Sequence, residues 1–357
     1  MVNCGICGAK ANFFAEYRGI DRDNENLVKA FADKTVWCCP DCRYCFCHPQ
    51  VEFRLLKDYY ESSYWEEGER SSGHLLAKLK KRVPGIIARR LQGQRPLGER
   101  LQSLVSSLEH FIEAKGGAAW LQGNYMLEIG AGAAGISSAL RRRYTAGKIS
   151  LKSHVVEPSE QFKHIYRWEN LRKIADTFEE MDESFTYLVI LAQHWLEHVI
   201  DLNSAFLKLK RLLKDDGLLF LEVPNCEDPY WEYRFFPNAP HVHFFTPKSL
   251  KLLAENHNFQ VLSLMTYGRP IEWEKEVGYL KADTPALLRA SEIRQLETER
   301  ELKSKLFFER LKRENWLGKT EDYWGNAYRE SGREFIRLLA TTNRGGDYKL
   351  FQNLNYE

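Results

Sequence analysis

The sequence predicts an α/β protein built on a doubly wound, mainly parallel sheet, with a small cysteine-rich N-terminal module and added helices. Three observations support this. From residue 124 onward, short apolar strands alternate with helical patterns. A glycine-rich turn joins the first of these strands to its helix, and seven of the eight cysteines lie in the first 47 residues. Apolar strands with helical crossovers are typical of a parallel sheet covered on both faces, whose ligands bind beyond the carboxyl ends of the strands.

Length and composition narrow the class of protein. The chain of 357 residues is long enough for two or three domains, and its hydrophobic fraction of 44% is that of an ordinary globular protein. The formal net charge of +2 gives no global attraction to nucleic acid or to an anionic membrane. No apolar run reaches the about 18 residues of a spanning helix, and the polar start does not resemble a signal peptide. We therefore expect a cytoplasmic protein.

Two CxxC pairs, Cys4-Gly-Ile-Cys7 and Cys39-Pro-Asp-Cys42, lie within residues 1–50. Thiolates two residues apart in a tight turn can face one ion, and two such turns complete a tetrahedral zinc site. Four thiolates leave no position for water, so we expect a structural Zn²⁺ rather than a catalytic one. Residues 1–50 are thus predicted to form a zinc-binding module.

The residues around the second pair, Cys39 and Cys42, leave open which side chains bind the predicted zinc. Cys38 could replace Cys39 by a shift of one residue, and Cys45, Cys47 and His48 are close enough in sequence to join the site. A disulfide framework would need an oxidising compartment, for which we find no targeting signal. Metal binding is therefore preferred over a redox role or a fortuitous cluster.

Residues 51–120 are predicted to form a helical linker or lid. An aromatic cluster, Tyr59 to Trp65, precedes two helical patterns. Its Tyr64 is expected to close over a ligand bound by the core, with simple packing as the alternative. The basic residues between 78 and 100 are either a solvated face or an attraction for a phosphorylated substrate.

The first core strand, predicted at 125–129, contains an acid and runs into the glycine-rich turn Gly130-Ala-Gly132-Ala-Ala-Gly135. Glycines there let a ligand approach the backbone, with the helix N-terminus pointing at it. The glycine spacing also fits the dinucleotide fingerprint. A carboxylate at Glu128 would repel a pyrophosphate and suits a cationic ligand, such as the sulfonium and ammonium groups of S-adenosylmethionine.

Two further acids follow the next strands. Glu157 ends the strand predicted at 150–156, where an acid can accept hydrogen bonds from both ribose hydroxyls of NAD or S-adenosylmethionine. Asp176, after a short segment at 172–176, is expected to meet the adenine amine. The other predicted strands are 187–191, 217–223 and 259–267, and the predicted helices are 134–144, 159–167, 202–213 and 247–256.

The run after the fourth strand, Ala192-Gln-His-Trp-Leu-Glu-His-Val199, completes a pattern that resembles class I S-adenosylmethionine-dependent methyltransferases. Glu128 to Gly135, Glu157 and Leu213 to Asn225 carry the same resemblance, to which His241 to Leu250 adds. More narrowly, the CxxC pairs and the aromatic cluster resemble bacterial sugar and natural-product methyltransferases with an N-terminal zinc-binding module. The resemblance covers about residues 1–267 and implies a Rossmann-like methyltransferase core over residues 121–270.

The cofactor implied by this resemblance is S-adenosyl-L-methionine. Glu128, Gly130 and Gly132 match the family's glycine loop, and Glu157 matches its ribose-binding acid. Gln193 and His194 match the loop after strand four that lies beside the methionine moiety in the family. With Asp176 and Tyr64 added, the expected cofactor-binding residues are Glu128, Gly130, Gly132, Glu157, Asp176, Gln193, His194 and Tyr64. The chain is shorter than the sugar C-methyltransferases of this group, which makes C-methylation of a sugar a poor match.

Histidines are the candidate catalytic residues, because methyl transfer to a hydroxyl benefits from a general base. His241 and His243 occupy a place similar to the residues that serve acid–base chemistry in sugar C-methyltransferases. They lie two apart in an extended loop, so their side chains should point the same way. We rank them first and His194 next, with a purely structural role for all of them as the alternative.

The last ninety residues are predicted to add helices to the core. Residues 271–345 are interpreted as a helical insertion or cap, with helices over 285–316 and 322–339. Their apolar stripes need a partner surface, either the acceptor pocket or a second subunit of a homodimer. Residues 346–357 are interpreted as a last core strand.

The leading functional prediction is methyl transfer from S-adenosylmethionine to a small-molecule acceptor, a hydroxyl of a sugar or sugar-bearing metabolite such as a nucleotide sugar or glycan. One alternative is an RNA-modifying methyltransferase that uses the zinc ribbon and the basic helix, against which the near-zero net charge argues. Another is an NAD-dependent oxidoreductase, which Glu128 disfavours. A non-catalytic zinc scaffold is the third.

Overall fold

The computed structural model describes residues 2–18, 20–62, 99–145, 149–227, 240–267, 287–289 and 335–342, with scattered residues between 291 and 310. In this part of the chain the strands are β1 (Asn12–Glu16), β2 (Ile20–Asp21), β3 (Thr35–Cys38), β4 (Cys45–His48), β5 (Tyr125–Ile129), β6 (Lys152–Val156), β7 (Arg172–Ala175), β8 (Tyr187–Gln193), β9 (Leu213–Pro224), β10 (His243–Phe244), β11 (Gln260–Tyr267), β12 (Leu287–Leu288) and β13 (Phe335–Thr341). The α-helices are α1 (Glu25–Phe31), α2 (Phe53–Ser62), α3 (Glu99–Ala114), α4 (Gly117–Leu121), α5 (Gly135–Thr145), α6 (Lys163–Trp168), α7 (Leu202–Leu212) and α8 (Pro247–Asn256).

A seven-stranded sheet forms the centre of the molecule, with the order β11-β13-β9-β8-β5-β6-β7. Strands β5 to β9 pair in parallel, and β13 runs antiparallel between β9 and β11. The reversal of strand order lies at β5, the strand that carries the glycine turn. The predicted α/β class with a mainly parallel sheet is confirmed.

Alternate residues of the central strands face two apolar layers. Leu219 and Leu221 of β9 belong to the layer that contains α7 and α8, while Leu218 and Phe220 belong to the layer that contains α3 and α5. Both sets are fully buried. A strand buried on both faces reads as a continuous apolar run, which is why the sequence pattern located these strands well.

The N-terminal module forms a second sheet of four strands, β1-β3-β4-β10. Its last strand comes from far along the chain, because His243 pairs with Phe46 and Phe244 pairs with Cys45. Cys38 and Cys45 lie opposite each other on β3 and β4 and form a disulfide. Cys38 therefore does not replace Cys39 in a metal site, and the preference for metal binding over disulfides does not hold for this one pair.

The C-terminal part differs from the prediction in two places. Leu287–Leu288 pairs with β2, so the predicted helix over 285–316 is wrong at these two residues, and helical residues are described only from Ser291 onward. Phe335–Thr341 is a strand with all seven residues buried, so the predicted helix over 322–339 is wrong in its last five residues. Apolar residues on both faces of a short segment fit helix and strand equally, and here pairing with β9 and β11 decides.

Residues 346–357, predicted as the last core strand, lie outside the described residues. Among the described residues, the last strand of the central sheet in chain order is β13. Among the helices that the structure describes, none has both the length and the apolar character needed to cross a bilayer.

Candidate active site and cysteine cluster

A cavity of about 470 Å³ lies at the carboxyl ends of β5, β6, β7 and β8. Its volume is within the usual range of small-molecule sites, and its position is where open α/β sheets bind ligands. Seven of the eight predicted cofactor residues line it: Glu128, Gly130, Gly132, Glu157, Asp176, Gln193 and His194. The eighth, Tyr64, lies outside the described residues.

The turn between β5 and α5 depends on glycine. Gly130 and Gly132 have φ values of +63° and +48°, in the left-handed region that side chains disfavour. A Cβ atom on Gly130 would lie 3.2 Å from Cβ of Trp195, which also lines the cavity. The turn therefore exposes bare backbone to the cavity, and a side chain at Gly130 would be strained and packed tightly against Trp195.

Glu128 is a buried carboxyl group rather than an exposed anion. Its Oε2 accepts a hydrogen bond of 2.9 Å from the backbone N–H of Ser137, in the first turn of α5. Burial raises the pKa of Glu128 to about 7, although the hydrogen bonds from Ser137 and Ile136 oppose the shift. Burial thus moves the pKa of Glu128 toward neutrality, where the protonated and ionised forms coexist.

Glu157 shapes the loop that it faces. Its Oε2 accepts from the backbone N–H of Gly132 at 2.7 Å and its Oε1 from that of Ser159 at 3.0 Å. Both oxygens are thereby fixed, and each keeps a further lone pair for a ligand hydroxyl. Asp176 differs, because it is half exposed and its Oδ1 lies 2.6 Å from Nζ of Lys173.

Helix α2 covers one side of the cavity with Phe53, Leu56, Lys57 and Tyr60. Lys57 forms an ion pair with Glu180, in the segment that follows β7. The residues of α2 thus lie where a lid over residues 51–120 was expected. The rest of that predicted segment up to residue 98 lies outside the described residues.

The turn after β8 holds a histidine against a carboxylate. His194 has a φ value of +50°, an unusual conformation for a residue with a side chain, and such strain concentrates at functional sites. Its Nδ1 lies 3.1 Å from Oε1 of Glu197, which is 1% exposed. Burial would raise the pKa of Glu197, but the hydrogen bond to His194 and the nearby histidines hold it at about 2. Glu197 is therefore an ionised carboxylate.

A buried ion pair supports this turn from the neighbouring strands. Nε of Arg337 on β13 donates to Oε2 of Glu222 on β9 at 2.6 Å, and Nε2 of Gln193 donates to Oε1 of the same glutamate at 2.9 Å. The backbone N–H of His194 donates to the carbonyl oxygen of Glu222 at 2.9 Å. Sequence reasoning missed Arg337 and Glu222, although a charged residue inside each apolar strand was a visible signal.

His241 and His243 do not line the cavity, unlike His194 and His198. Both ring nitrogens of His243 form hydrogen bonds. Nδ1 bonds to the hydroxyl of Tyr44, and Nε2 bonds to the carbonyl oxygen of Val199 at 2.6 Å. Burial lowers the pKa of His243 to about 4. His243 thus connects the N-terminal sheet to the turn after β8. The sequence did not reveal this role because the pairing of β10 with β4 spans about two hundred residues.

Four cysteines of the N-terminal module, Cys4, Cys7, Cys39 and Cys42, bring their sulfur atoms within 4.8 Å of one another. The sulfur atoms of Cys4 and Cys42 are 3.6 Å apart, and those of Cys7 and Cys39 are 3.4 Å apart. In a tetrahedral zinc site with Zn–S bonds of about 2.3 Å, neighbouring sulfur atoms lie roughly 3.8 Å apart. The donor set and its spacing therefore fit such an ion, and the four residues are the ones predicted.

The cysteine cluster is attached directly to the core. The carbonyl oxygen of Cys42 accepts a hydrogen bond from Oγ1 of Thr246, the N-cap of α8, at 3.2 Å. The carbonyl oxygen of Ile6 accepts one from Nδ2 of Asn256 on the same helix at 2.7 Å. Cys4, Cys39 and Cys42 also belong to the same apolar layer as α7 and α8.

Comparison with known proteins agrees with this architecture. The family model of a methyltransferase domain matches residues 91–264, which contain the glycine turn, the acids and the turn after β8. No curated protein matches the sequence. Together with the fold, the matched domain indicates an S-adenosylmethionine-dependent methyltransferase.

Several solved structures are similar to this chain at low sequence identity. A coclaurine N-methyltransferase bound to N-methylheliamine and SAH is 15% identical, with 81% of this chain and 91% of that one covered and a TM-score of 0.41. Magnesium protoporphyrin IX methyltransferase from Synechocystis PCC 6803 with bound SAH is 12% identical, with 60% of this chain and 92% of that one covered and a TM-score of 0.40. An S-adenosylmethionine-dependent methyltransferase from Clostridium acetobutylicum is 9% identical, with 72% of this chain and 97% of that one covered and a TM-score of 0.38.

Proposed function

We propose that this S-adenosylmethionine-dependent methyltransferase transfers the methyl group to a hydroxyl of a small-molecule acceptor, a sugar or a sugar-bearing metabolite. The observation that carries the proposal is a single cavity lined by the glycine turn, by Glu157 and by His194, whose ring contacts Glu197. A donor bound at the glycine turn and a base at His194 would then face the same space, as an in-line displacement requires.

The proposed donor site uses residues at three strand ends. Glu157 would bind the ribose hydroxyls, because its oxygens are fixed by two backbone N–H groups at the end of β6. Asp176, at the end of β7, would accept from the adenine amine. A cationic ligand beside Glu128 would favour the ionised form of a carboxyl group whose pKa lies at about 7. S-adenosylmethionine supplies an electrophilic methyl group on a cationic sulfur.

His194 is the proposed general base. With its Nδ1–H donated to Glu197, the Nε2 atom carries the lone pair that accepts a proton. The acceptor oxygen forms its bond to the methyl carbon as the bond from that carbon to sulfur breaks, and the hydroxyl proton moves to Nε2 of His194. Ionised Glu197 stabilises the imidazolium that results, as a buried carboxylate does in a catalytic triad.

A sugar ring is the proposed acceptor class because the cavity carries aromatic faces. Phe53, Tyr60 and Trp195 are among its lining residues, and flat rings of this kind stack well on the apolar face of a sugar. Competition by a panel of nucleotide sugars and free sugars for transfer of a labelled methyl group would identify the acceptor.

We further propose that Cys4, Cys7, Cys39 and Cys42 bind one structural Zn²⁺. Four thiolates complete the coordination of zinc without an open position, so the ion would hold the module's two turns together and take no part in methyl transfer.

The donor site is tested by titrating the full chain with S-adenosylmethionine and S-adenosylhomocysteine in a calorimeter. We expect saturable binding of both, and at least tenfold weaker binding for Glu157→Gln. Glu183→Gln is the matched control, since Glu183 pairs with Arg211, neither residue lines the cavity, and the change should leave the affinity unchanged. Absence of saturable binding to the unaltered protein would reject the proposal.

A further inference from the structure

A second group of side chains that could hold a metal ion lies beside the cavity, separate from the cysteine cluster. One carboxylate oxygen of Glu197 and one ring nitrogen each of His198 and His241 lie within 4.8 Å of one another. The rings of His198 and His241 have their centroids 4.8 Å apart. His198 also lines the cavity. The group thus borders the space in which the acceptor is proposed to bind.

The His198 ring is oriented as metal-bound histidines usually are. Its Nδ1 lies 3.4 Å from the carbonyl oxygen of Pro240, and its Nε2 lies 3.9 Å from Oε1 of Glu197. A histidine that donates one ring N–H to a backbone carbonyl presents the lone pair of its other nitrogen, which fixes the tautomer needed for a ligand.

Glu197 has one oxygen left over. Its Oε1 is engaged by His194, whereas its Oε2 is buried and has no hydrogen-bond partner among the described residues. A carboxyl oxygen without a partner in a residue that is 1% exposed is costly, because buried polar groups are normally hydrogen-bonded, paired or bound to a metal. This unpartnered oxygen is a second observation, beside the spacing of the three side chains, that points to a ligand at this place.

The backbone holds the three residues in place. The N–H of Val242 donates to the carbonyl oxygen of Glu197 at 2.8 Å, which ties the loop of His241 to the turn of His198. The hydroxyl of Tyr17 donates to the carbonyl oxygen of His241. These contacts join the N-terminal module, the loop before β10 and the turn after β8 around one point.

We propose that Glu197, His198 and His241 form a binding site for a divalent transition-metal ion. Two imidazoles and a carboxylate suit zinc, cobalt or iron, and leave positions for water or for a ligand. Ligand atoms at about 2.1 Å from an ion lie roughly 3.0 to 3.6 Å apart, so the ion would draw the three groups closer by about an ångström. The metal site itself does not depend on the proposed function. The role of the ion does rest on it, because in methyl transfer the ion would polarise the acceptor hydroxyl.

The test uses the full chain with its cysteine site filled by zinc, titrated with Co²⁺ by calorimetry and visible absorption. We expect one Co²⁺ per chain, with d–d bands and no sulfur-to-metal charge-transfer band. His241→Ala and His198→Ala should each weaken Co²⁺ binding at least tenfold. His164→Ala is the matched control, because His164 is an exposed histidine on α6 and should leave binding unchanged.

Circular dichroism melts check that each variant is folded, and His241→Gln replaces His241→Ala if the latter is not. Lack of saturable Co²⁺ binding to the unaltered protein overturns the proposal, as does unchanged binding in both histidine variants or a charge-transfer band from thiolates. S-adenosylhomocysteine is titrated into the same samples. Co²⁺ binding without S-adenosylhomocysteine binding would reject the proposed function and retain the metal site.

Discussion

Glu128 links folding, pH and ligand binding at a single residue. Its pKa in the folded protein is about 7, against an ordinary value of 4.5, because burial disfavours the charged form. Because this pKa is higher in the folded than in the unfolded chain, the contribution of Glu128 to the free energy of unfolding is greatest below pH 4.5. That contribution is lost as the pH rises through 7.

Replacement by Glu128→Gln, which keeps an acceptor oxygen but cannot ionise, isolates this effect. Between pH 5 and pH 8 the unfolding free energy of the unaltered protein should fall by roughly 2–3 kcal/mol relative to that of the variant. Urea denaturation at pH 5, 6.5 and 8 in the absence of ligand measures the difference. Parallel pH profiles for the two proteins would contradict the assigned pKa.

His194 carries the catalytic prediction. For His194→Gln we expect kcat to fall by about 10²–10⁴, the usual contribution of a general base, while the affinity for S-adenosylhomocysteine changes much less. Single-turnover methylation assays beside calorimetric titration separate the two quantities. His164→Gln serves as the control, and an unchanged kcat in His194→Gln would remove the base from the mechanism.

At this scale the sequence predicted residues that line the cavity where those residues end a strand or immediately follow it. Two of these residues, Glu157 and Asp176, directly follow a strand, and Gln193 is the last residue of one. Parallel strands of one sheet have their carboxyl ends at the same edge, so these residues come together although they are far apart in sequence. His243 was assigned to catalysis because its neighbours in sequence resemble a catalytic loop. Its real neighbours, Tyr44 and Val199, depend on tertiary contacts that no local pattern encodes.

Among the elements, β13 brings a buried charged side chain, Arg337, into the central sheet. Arg337 is 2% exposed and its partner Glu222 is fully buried. Loss of one member of such a pair leaves the other uncompensated in a low-dielectric interior. The Oγ of Ser103 on α3 also accepts from Nη1 of Arg337 at 2.9 Å, so the pair joins a helix to two strands.

Arg337→Met should therefore lower the unfolding free energy by about 3–5 kcal/mol. Adding Glu222→Gln to the same chain should recover part of that loss, because no uncompensated carboxylate is left. Urea denaturation of the two single variants and the double variant gives the coupling free energy. Additive losses in the double variant would show that the two side chains are not energetically coupled.

Helices and strands of the parallel core were predicted to within a few residues, whereas the C-terminal elements were not. Helix α8 has a Thr246 cap and a proline in its first turn, and β9 contains the apolar run 218–221, so local signals suffice for both. Strand β13 lacks such signals. Its conformation is set by the gap between β9 and β11, which only the assembled sheet presents.

For the whole molecule, the central structural fact is that the cysteine module and the core share one apolar layer and one sheet. Cys4, Cys39 and Cys42 pack in the layer of α7 and α8, and β10 completes the N-terminal sheet. The two parts should therefore unfold together in a single transition.

Cys39→Ser tests this coupling together with the proposed zinc. We expect the loss of one equivalent of zinc per chain, measured by plasma mass spectrometry, and a lower Tm of the entire chain in one calorimetric peak. Cys226→Ala, a buried cysteine outside the cluster, should keep its zinc. A separate low-temperature peak in Cys39→Ser, with the main peak unmoved, would show that the module folds by itself.

The position of β13 also bears on synthesis at the ribosome. Strands β9 and β11 leave the exit tunnel long before residues 335–341, and until then each presents a row of unsatisfied amide groups toward the vacant slot between them. Nascent chains of this protein should accordingly need protection by chaperones late in translation, and a premature stop before Phe335 should yield aggregates rather than a smaller folded product.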